Sequence, residues 1–250
     1  MSVSISTSSA PASPADAEGR LLKAGGLVSF SATDFPGKLA AVVFVQGCPW
    51  RCGYCHNPHL QPRAPQEALH WPRILTMLGR RIGLIDAVVF SGGEPTLDPA
   101  LPQAIADARA LGFEIGLHSA GIYPERLYKT LPMLDWIGLD VKAPFDHRYD
   151  RVTGVPGSWQ AARASVKAVL ASGIAHEFRT TVHPALLAEG DVLELARTLS
   201  ELGVRNYALQ VFRTQGCDDK ELMDAPAWQP SAALLNELHA LFPRFTLRQA

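Results

Sequence analysis

Three of the four cysteines in the chain, Cys48, Cys52 and Cys55, fall within the stretch Gly47 to Pro58, spaced C-x3-C-x2-C. Thiolates are soft ligands suited to zinc or to iron–sulfur clusters, and closely spaced cysteines on one loop can wrap a metal centre. A cubane cluster is ordinarily held by four cysteines, so three from one loop leave one iron open. An open position is what separates a catalytic metal site from a structural one. Other readings are weaker. Cys52-Gly53-Tyr54-Cys55 alone is a redox-type C-x-x-C, but that reading leaves Cys48 unexplained and wants a helix where His56-Asn57-Pro58 breaks one. A closed zinc site using His56 would ask a histidine adjacent to a ligating cysteine to reach the same tetrahedron. A disulfide framework is unneeded in a 250-residue chain that can bury its own core. The open iron–sulfur cluster is the expectation, with Cys48, Cys52 and Cys55 as metal ligands and as the catalytic centre.

Further candidates recur at the ends of apolar runs. Ala87 to Phe90 leads into Ser91-Gly92-Gly93-Glu94, Phe113 to Leu117 into His118-Ser119, and Trp136 onward into Asp140-Val141-Lys142. Gly92 and Gly93 allow close backbone approach to a ligand and expose carbonyl acceptors. Asp140 and Lys142 share a strand face and suit either an ion pair or ligand contact. The planar fork of Arg179 suits a carboxylate, with Glu177 or Asp140 as competing partners. Tyr54 could pack in the core or stack on a flat base. His118 and His183 read as hydrogen-bonded histidines without an assigned role. Cys217 reads as a free loop thiol that could in principle close the open site.

The elements that must position these residues alternate. Strands are expected at Gly26–Phe30, Ala40–Val45, Ala87–Phe90, Phe113–Leu117, Trp136–Lys142, Glu177–Val182 and Arg205–Phe212, with a terminal strand at Arg244–Leu247. Helices are expected from about Glu67 to Ile82, from Asp98 as N-cap to Leu111, and over Pro124–Leu131, Ser158–Ser172, Asp191–Leu202 and Ser231–Leu241. Alternation of this kind gives an α/β fold with parallel strands and helices outside. One polar strand face, Glu177, Arg179, Thr181 and His183, would be intolerable between two apolar helix layers but can line a lumen. We therefore expect an incomplete (β/α)6 TIM-like barrel, open on one side, with function at the C-terminal strand ends.

Hydrophobic residues make up 47% and charged residues 19% of the chain, and the net charge is −1. That balance offers no field for nucleic acid or an anionic membrane. The cysteine usage argues for a reducing, cytoplasmic setting, and no apolar run approaches a membrane span. Residues 1–19, rich in Ser, Ala, Thr and Pro, are expected to be a disordered tail, with 20–250 one core domain.

The C-x3-C-x2-C loop after a first strand, an aromatic before its third cysteine, and GGE after the second strand together resemble the radical S-adenosylmethionine (SAM) enzymes. The resemblance runs from Gly26 onward. It implies one [4Fe–4S] cluster on Cys48, Cys52 and Cys55, whose unique iron is chelated by the amino and carboxylate groups of SAM. It also implies reductive cleavage to methionine and a 5′-deoxyadenosyl radical. Tyr54, Gly92, Gly93, Glu94, Ser119, Asp140, Lys142 and Arg179 are then cofactor-binding candidates, with the GGE backbone holding the SAM amino group. Cys55-His56-Asn57-Pro58, Asp34-Phe35-Pro36-Gly37-Lys38 and Asp140-Val141-Lys142 look like the glycyl radical enzyme activases. The closest likeness is to the longer form of the anaerobic ribonucleoside-triphosphate reductase activating proteins. That implies a glycyl radical enzyme as protein substrate and a flavodoxin or ferredoxin-type electron donor. His118 departs from the acidic residue that pyruvate formate-lyase activase carries near a monovalent cation, and auxiliary cluster cysteines are absent. A radical enzyme for a small molecule, resembling the carboxydeazaguanine synthases, is the alternative, followed by a non-enzymatic zinc module.

Overall fold

A computed structural model describes residues 21–64 and 68–249. The expected tail, residues 1–19, and the start of the first expected helix at Glu67 lie outside the described residues. Eight strands form one sheet in chain order: β1 (Ala24–Ser31), β2 (Ala40–Val45), β3 (Ala87–Gly92), β4 (Glu114–Ser119), β5 (Trp136–Asp140), β6 (Ala175–Val182), β7 (Asn206–Val211) and β8 (Arg244–Arg248). β1 pairs antiparallel with β2, and every later pairing is parallel. β1 and β8 do not pair with each other, so the curled sheet stays open between them. Seven strands, β2 to β8, are parallel: β2 to β7 are the six of the incomplete barrel expected, β8 is the terminal strand expected, and the antiparallel β1 departs from an all-parallel reading.

The strands form because their residues suit burial on both faces. β2 (AAVVFV) and the first four residues of β3 (AVVF) are apolar and, apart from half-buried Phe44, buried, as parallel strands under a helical layer must be. Outward residues meet the helices α1 (Trp71–Gly79), α2 (Leu101–Ala110), α3 (Pro124–Thr130), α4 (His147–Thr153), α5 (Ser158–Ser172), α6 (Glu189–Glu201), α7 (Lys220–Met223) and α8 (Ala232–Leu241). In α5, Ala162, Ser165, Val166 and Val169 recur at helical spacing and are buried, and Gly173 in the left-handed region ends it.

Inward residues make a second, smaller core. Ala40, Ala87 and Trp136, the first residues of β2, β3 and β5, cluster with Val42, Val89 and Phe35. Phe35 belongs to the turn Thr33 to Gly37 between β1 and β2, and its ring stacks on Trp136 at 5.3 Å between centroids. The turn thus folds under the lumen and closes its floor, leaving the C-terminal strand ends as the open mouth.

Helix boundaries differ from expectation: α1 spans Trp71–Gly79 where Glu67 to Ile82 was expected, and the short α7 was not anticipated. Asp98 does not cap α2, which starts at Leu101 after Ala100. Its carboxylate accepts instead from Ala100 N, Lys23 N and Arg63 Nη2, tying three segments together. α4 was not anticipated, although Asp146, whose carboxylate accepts from Arg148 N, and the left-handed Gly154 bracket it as cap and stop.

Candidate active site

The cysteine loop leaves β2 and is fastened by its backbone. Gly47 N donates to Leu60 O at 2.7 Å, Cys48 N to Gln61 O at 3.0 Å, Arg51 N to Thr153 O at 2.8 Å and Cys55 N to Cys52 O at 3.0 Å. The turn after β3 lies directly against it: Gly93 N donates to Val45 O and Glu94 N to Gly47 O. A Cβ on Gly93 would sit 2.4 Å from Gly47 O, so the glycine is needed for the approach of this backbone to the cysteine loop.

Cys48, Cys52 and Cys55 line one wall of a cavity of about 200 Å³ at the mouth of the barrel. Tyr54, Gly92, Gly93, Ser119, Asp140, Lys142 and Arg179 line it too. Ten of the eleven residues singled out by the sequence therefore meet at one place. Glu94 is the exception. Its side chain is fully buried beneath the wall, with Oε1 accepting from Thr96 Oγ1, Thr96 N and Ser119 Oγ and Oε2 from Ala120 N. It braces the end of β3 to the end of β4. Burial pushes its carboxyl pKa up, against the opposing effect of those donors.

The remaining walls carry charge. Asp140 Oδ2 and Lys142 Nζ are 3.6 Å apart, and the ammonium lies 5.5 Å from the centre of the Tyr54 ring. Burial opposes the charge on Lys142, but Tyr54, Cys52 and Asp140 around it raise its pKa above the usual lysine value. Tyr54 is both buried in the core and part of the wall, and among the described residues its Oη has no hydrogen-bond partner. Arg179 Nε donates to Glu177 Oε1 at 2.9 Å, and its guanidinium lies 5.0 Å over Trp136. A Cβ on Gly138 would fall 2.6 Å from the Arg179 Cζ, so this glycine makes room for the fork. Arg248 from β8 also holds Glu177, with Nη1 at 2.8 Å from Oε1. Two guanidinium groups thus share one buried carboxylate.

His118, Thr181, Gln210 and His56 are among the other lining residues and were not singled out as ligands by the sequence. Thr181 lies on the polar β6 face expected to line the lumen, and the same alternation on β4 and β7 marks His118 and Gln210. Both histidines left without a role have hydrogen-bond partners: His118 Nε2 lies 2.8 Å from Asp34 O and His183 Nε2 3.1 Å from Leu222 O. Cys217 is not part of the lining. Its Sγ donates to Gly53 O at 3.5 Å from the far side of the cysteine loop.

Past His56, Arg179, Thr181 and Gln210 the cavity continues into a groove of about 940 Å³ bounded by Thr33 and Asp34 on one side and Arg248 on the other. Most of its lining comes from the ends of β6 and β7 and the segments that follow them, including His183, Phe212 and Trp228.

The donor set suits an iron–sulfur cluster: three thiols, none in a disulfide, face a cavity whose far walls supply charged and hydrogen-bonding groups. Burial pushes the Cys48 thiol up to about 12 and raises Cys52 as well, so binding as thiolate calls for the positive charge of a metal.

The description of the Radical SAM superfamily matches residues 42–199. The chain belongs to that superfamily and is an enzyme of its chemistry, with a [4Fe–4S] cluster and SAM as cofactors. Within it, the likeness is to the activating enzymes. A Methanocaldococcus jannaschii protein assigned by name to the glycyl-radical enzyme activating enzymes is 27% identical, covering 88% of this chain and 91% of its own. The pyruvate formate-lyase-activating enzyme of Clostridium pasteurianum is 30% identical, covering 78% and 84%. QueE from Escherichia coli has a similar fold, with a TM-score of 0.54 at 15% identity over 96% of this chain and 100% of that one.

Proposed function

We propose that this protein activates a glycyl radical enzyme by taking a hydrogen atom from a backbone glycine of that partner, with reductive cleavage of SAM, and that the partner is anaerobic ribonucleoside-triphosphate reductase. Cys48, Cys52 and Cys55 hold the cluster. When bound, the cluster supplies one electron and an open iron position for the amino and carboxylate groups of SAM.

The chain's own residues do the rest. The backbone of Gly92 and Gly93 offers acceptors to the SAM amino group, at a turn that Glu94 and Ser119 keep rigid from beneath. Lys142 and Arg179 supply positive charge for a carboxylate, and Arg179 is held in place by Glu177 and Trp136. Asp140 offers an acceptor on the same rim. Tyr54, with an unpartnered buried hydroxyl, supplies a flat face for the adenine. The Phe35 floor closes the lumen from below, and a partner segment seated in the groove would complete the exclusion of water that a reactive radical requires. The protein works in the reducing cytoplasm with a flavodoxin or ferredoxin-type donor. Among the described residues no helix is long and apolar enough to cross a membrane.

One observation carries the choice of a protein substrate: the cavity continues into a groove of about 940 Å³ over the ends of β6 and β7, large enough for a peptide loop. The test is anaerobic incubation of reduced, cluster-loaded protein with SAM and the reductase. A glycyl radical signal on the reductase, with methionine and 5′-deoxyadenosine formed in equal amounts, is expected. Turnover of a free small molecule in place of that signal would overturn the reading.

A further inference from the structure

β1 is the edge strand of the sheet, bridged on its outer side, among the described residues, only at Ala24, whose O accepts from Leu69 N, and its sequence AGGLVSFS carries none of the charges or prolines that ordinarily protect such an edge. The surface around it is apolar. Of nine large hydrophobic side chains that are exposed among the described residues, six lie here: Val28, Phe30, Leu39, Met77, Ile82 and Leu84, at 38% to 62% exposure. Val28 is on the lumen side of β1, because it pairs in register with the lumen-facing Val42, and the register shifts between it and Ser31. Clustering of this kind marks an interaction surface rather than the scatter normal for a monomer.

On the outer face, α1 leaves β1 partly uncovered. A notch of about 250 Å³ remains, with Leu27, Ala41, Met77 and Leu78 as its apolar lining and Arg80 and Arg81 at its rim. Arg81 Nη2 reaches Ser29 Oγ at 3.3 Å, yet among the described residues neither arginine has an acidic partner. A second copy placed edge to edge by a twofold axis would bring these cationic rims toward each other. An acidic partner would not.

We infer that the β1 edge is a docking strip for an extended, acidic segment of the protein substrate, with an apolar side chain in the notch and carboxylates against Arg80 and Arg81. This is strand addition, in which main-chain bonds give affinity and alternate side chains give selectivity. The inference rests on the activase reading, because it is the partner's body that docks here while its glycine loop enters the groove that leads to the cavity.

The experiment uses cluster-loaded full-length protein and two blocked synthetic probes, Asp-Leu-Asp-Val-Asp-Leu and its lysine counterpart Lys-Leu-Lys-Val-Lys-Leu. Hydrogen exchange of residues 24–31 is followed with each. The acidic probe is expected to slow exchange there, to bind about tenfold more tightly than the lysine probe, and to weaken as salt rises. Arg80→Glu with Arg81→Glu should abolish that preference, and should raise the KM for the partner enzyme while partner-free SAM cleavage stays at the unaltered level. Equal protection by both probes would overturn the inference, as would protection that grows with protein concentration without a probe, the signature of a second copy. SAM cleavage lost already in the unaltered protein would condemn the activase reading instead, and the exchange result would still judge the strip.

Discussion

Arg179 and Arg248, from β6 and β8, grip the same carboxylate: Glu177 Oε1 accepts from Arg179 Nε at 2.9 Å and lies 2.8 Å from Arg248 Nη1. Three charges in one buried cluster leave one positive charge without a carboxylate of its own, at the junction of cavity and groove. Replacing Arg179 by Lys keeps that charge but removes the fork. Loss of a charge-assisted bond of about 1.5–3 kcal/mol corresponds to roughly 10- to 100-fold. Partner-free SAM cleavage by Arg179→Lys should fall by about that factor, measured as 5′-deoxyadenosine released.

His118 gives the pH dependence. Burial first, and Arg179 beside it second, hold its pKa well below the usual histidine value. The unfolded chain takes up that proton near pH ~6.5, while the folded chain resists it. The contribution to stability is therefore complete above about pH 6.5 and lost as pH falls from there through the folded pKa. His118→Gln should flatten the decline of the urea midpoint below about pH 6.5 relative to the unaltered protein.

Glu94 is expected to matter through structure. Glu94→Ala would strand four donors, Thr96 N, Thr96 Oγ1, Ser119 Oγ and Ala120 N, in a fully buried place. Unsatisfied buried groups cost about 1–3 kcal/mol each before relaxation or water entry. A loss of roughly 3 kcal/mol or more in unfolding free energy is expected by denaturant titration of the metal-free protein.

Gly93→Ala tests the contact between turn and cysteine loop. A Cβ there meets Gly47 O at 2.4 Å, and backbone on both sides leaves little room to yield. Iron retained per chain after reconstitution should fall below that of the unaltered protein. Cys217→Ser, on the far side of the loop, should retain full iron.

Much of this site was legible because chemistry and strand ends coincide in the sequence. The cysteines follow the apolar run Ala40–Val45, and Gly92-Gly93, Ser119, Asp140 and Lys142 each follow another, so parallel topology alone brings them to one rim. Less legible was anything set by packing across the lumen. Phe35 closing the floor on Trp136 joins residues 101 positions apart, and no local pattern announces it. Glu94 was expected at the rim with the strand ends, yet it turns inward to Thr96 two residues on and to Ser119 and Ala120, which only the fold brings to it. The capping role expected of Asp98 failed for the same reason, since distant Lys23 and Arg63 compete for its carboxylate.

The most direct test of the central claim is the electron paramagnetic resonance spectrum of the reduced, anaerobically reconstituted protein with and without SAM. Three cysteines holding a cluster with one open iron predict a [4Fe–4S] signal that changes when SAM is added, and that is lost in Cys48→Ala, Cys52→Ala and Cys55→Ala. A spectrum indifferent to SAM, or a protein that takes up a single zinc ion in place of iron and sulfide, would contradict it.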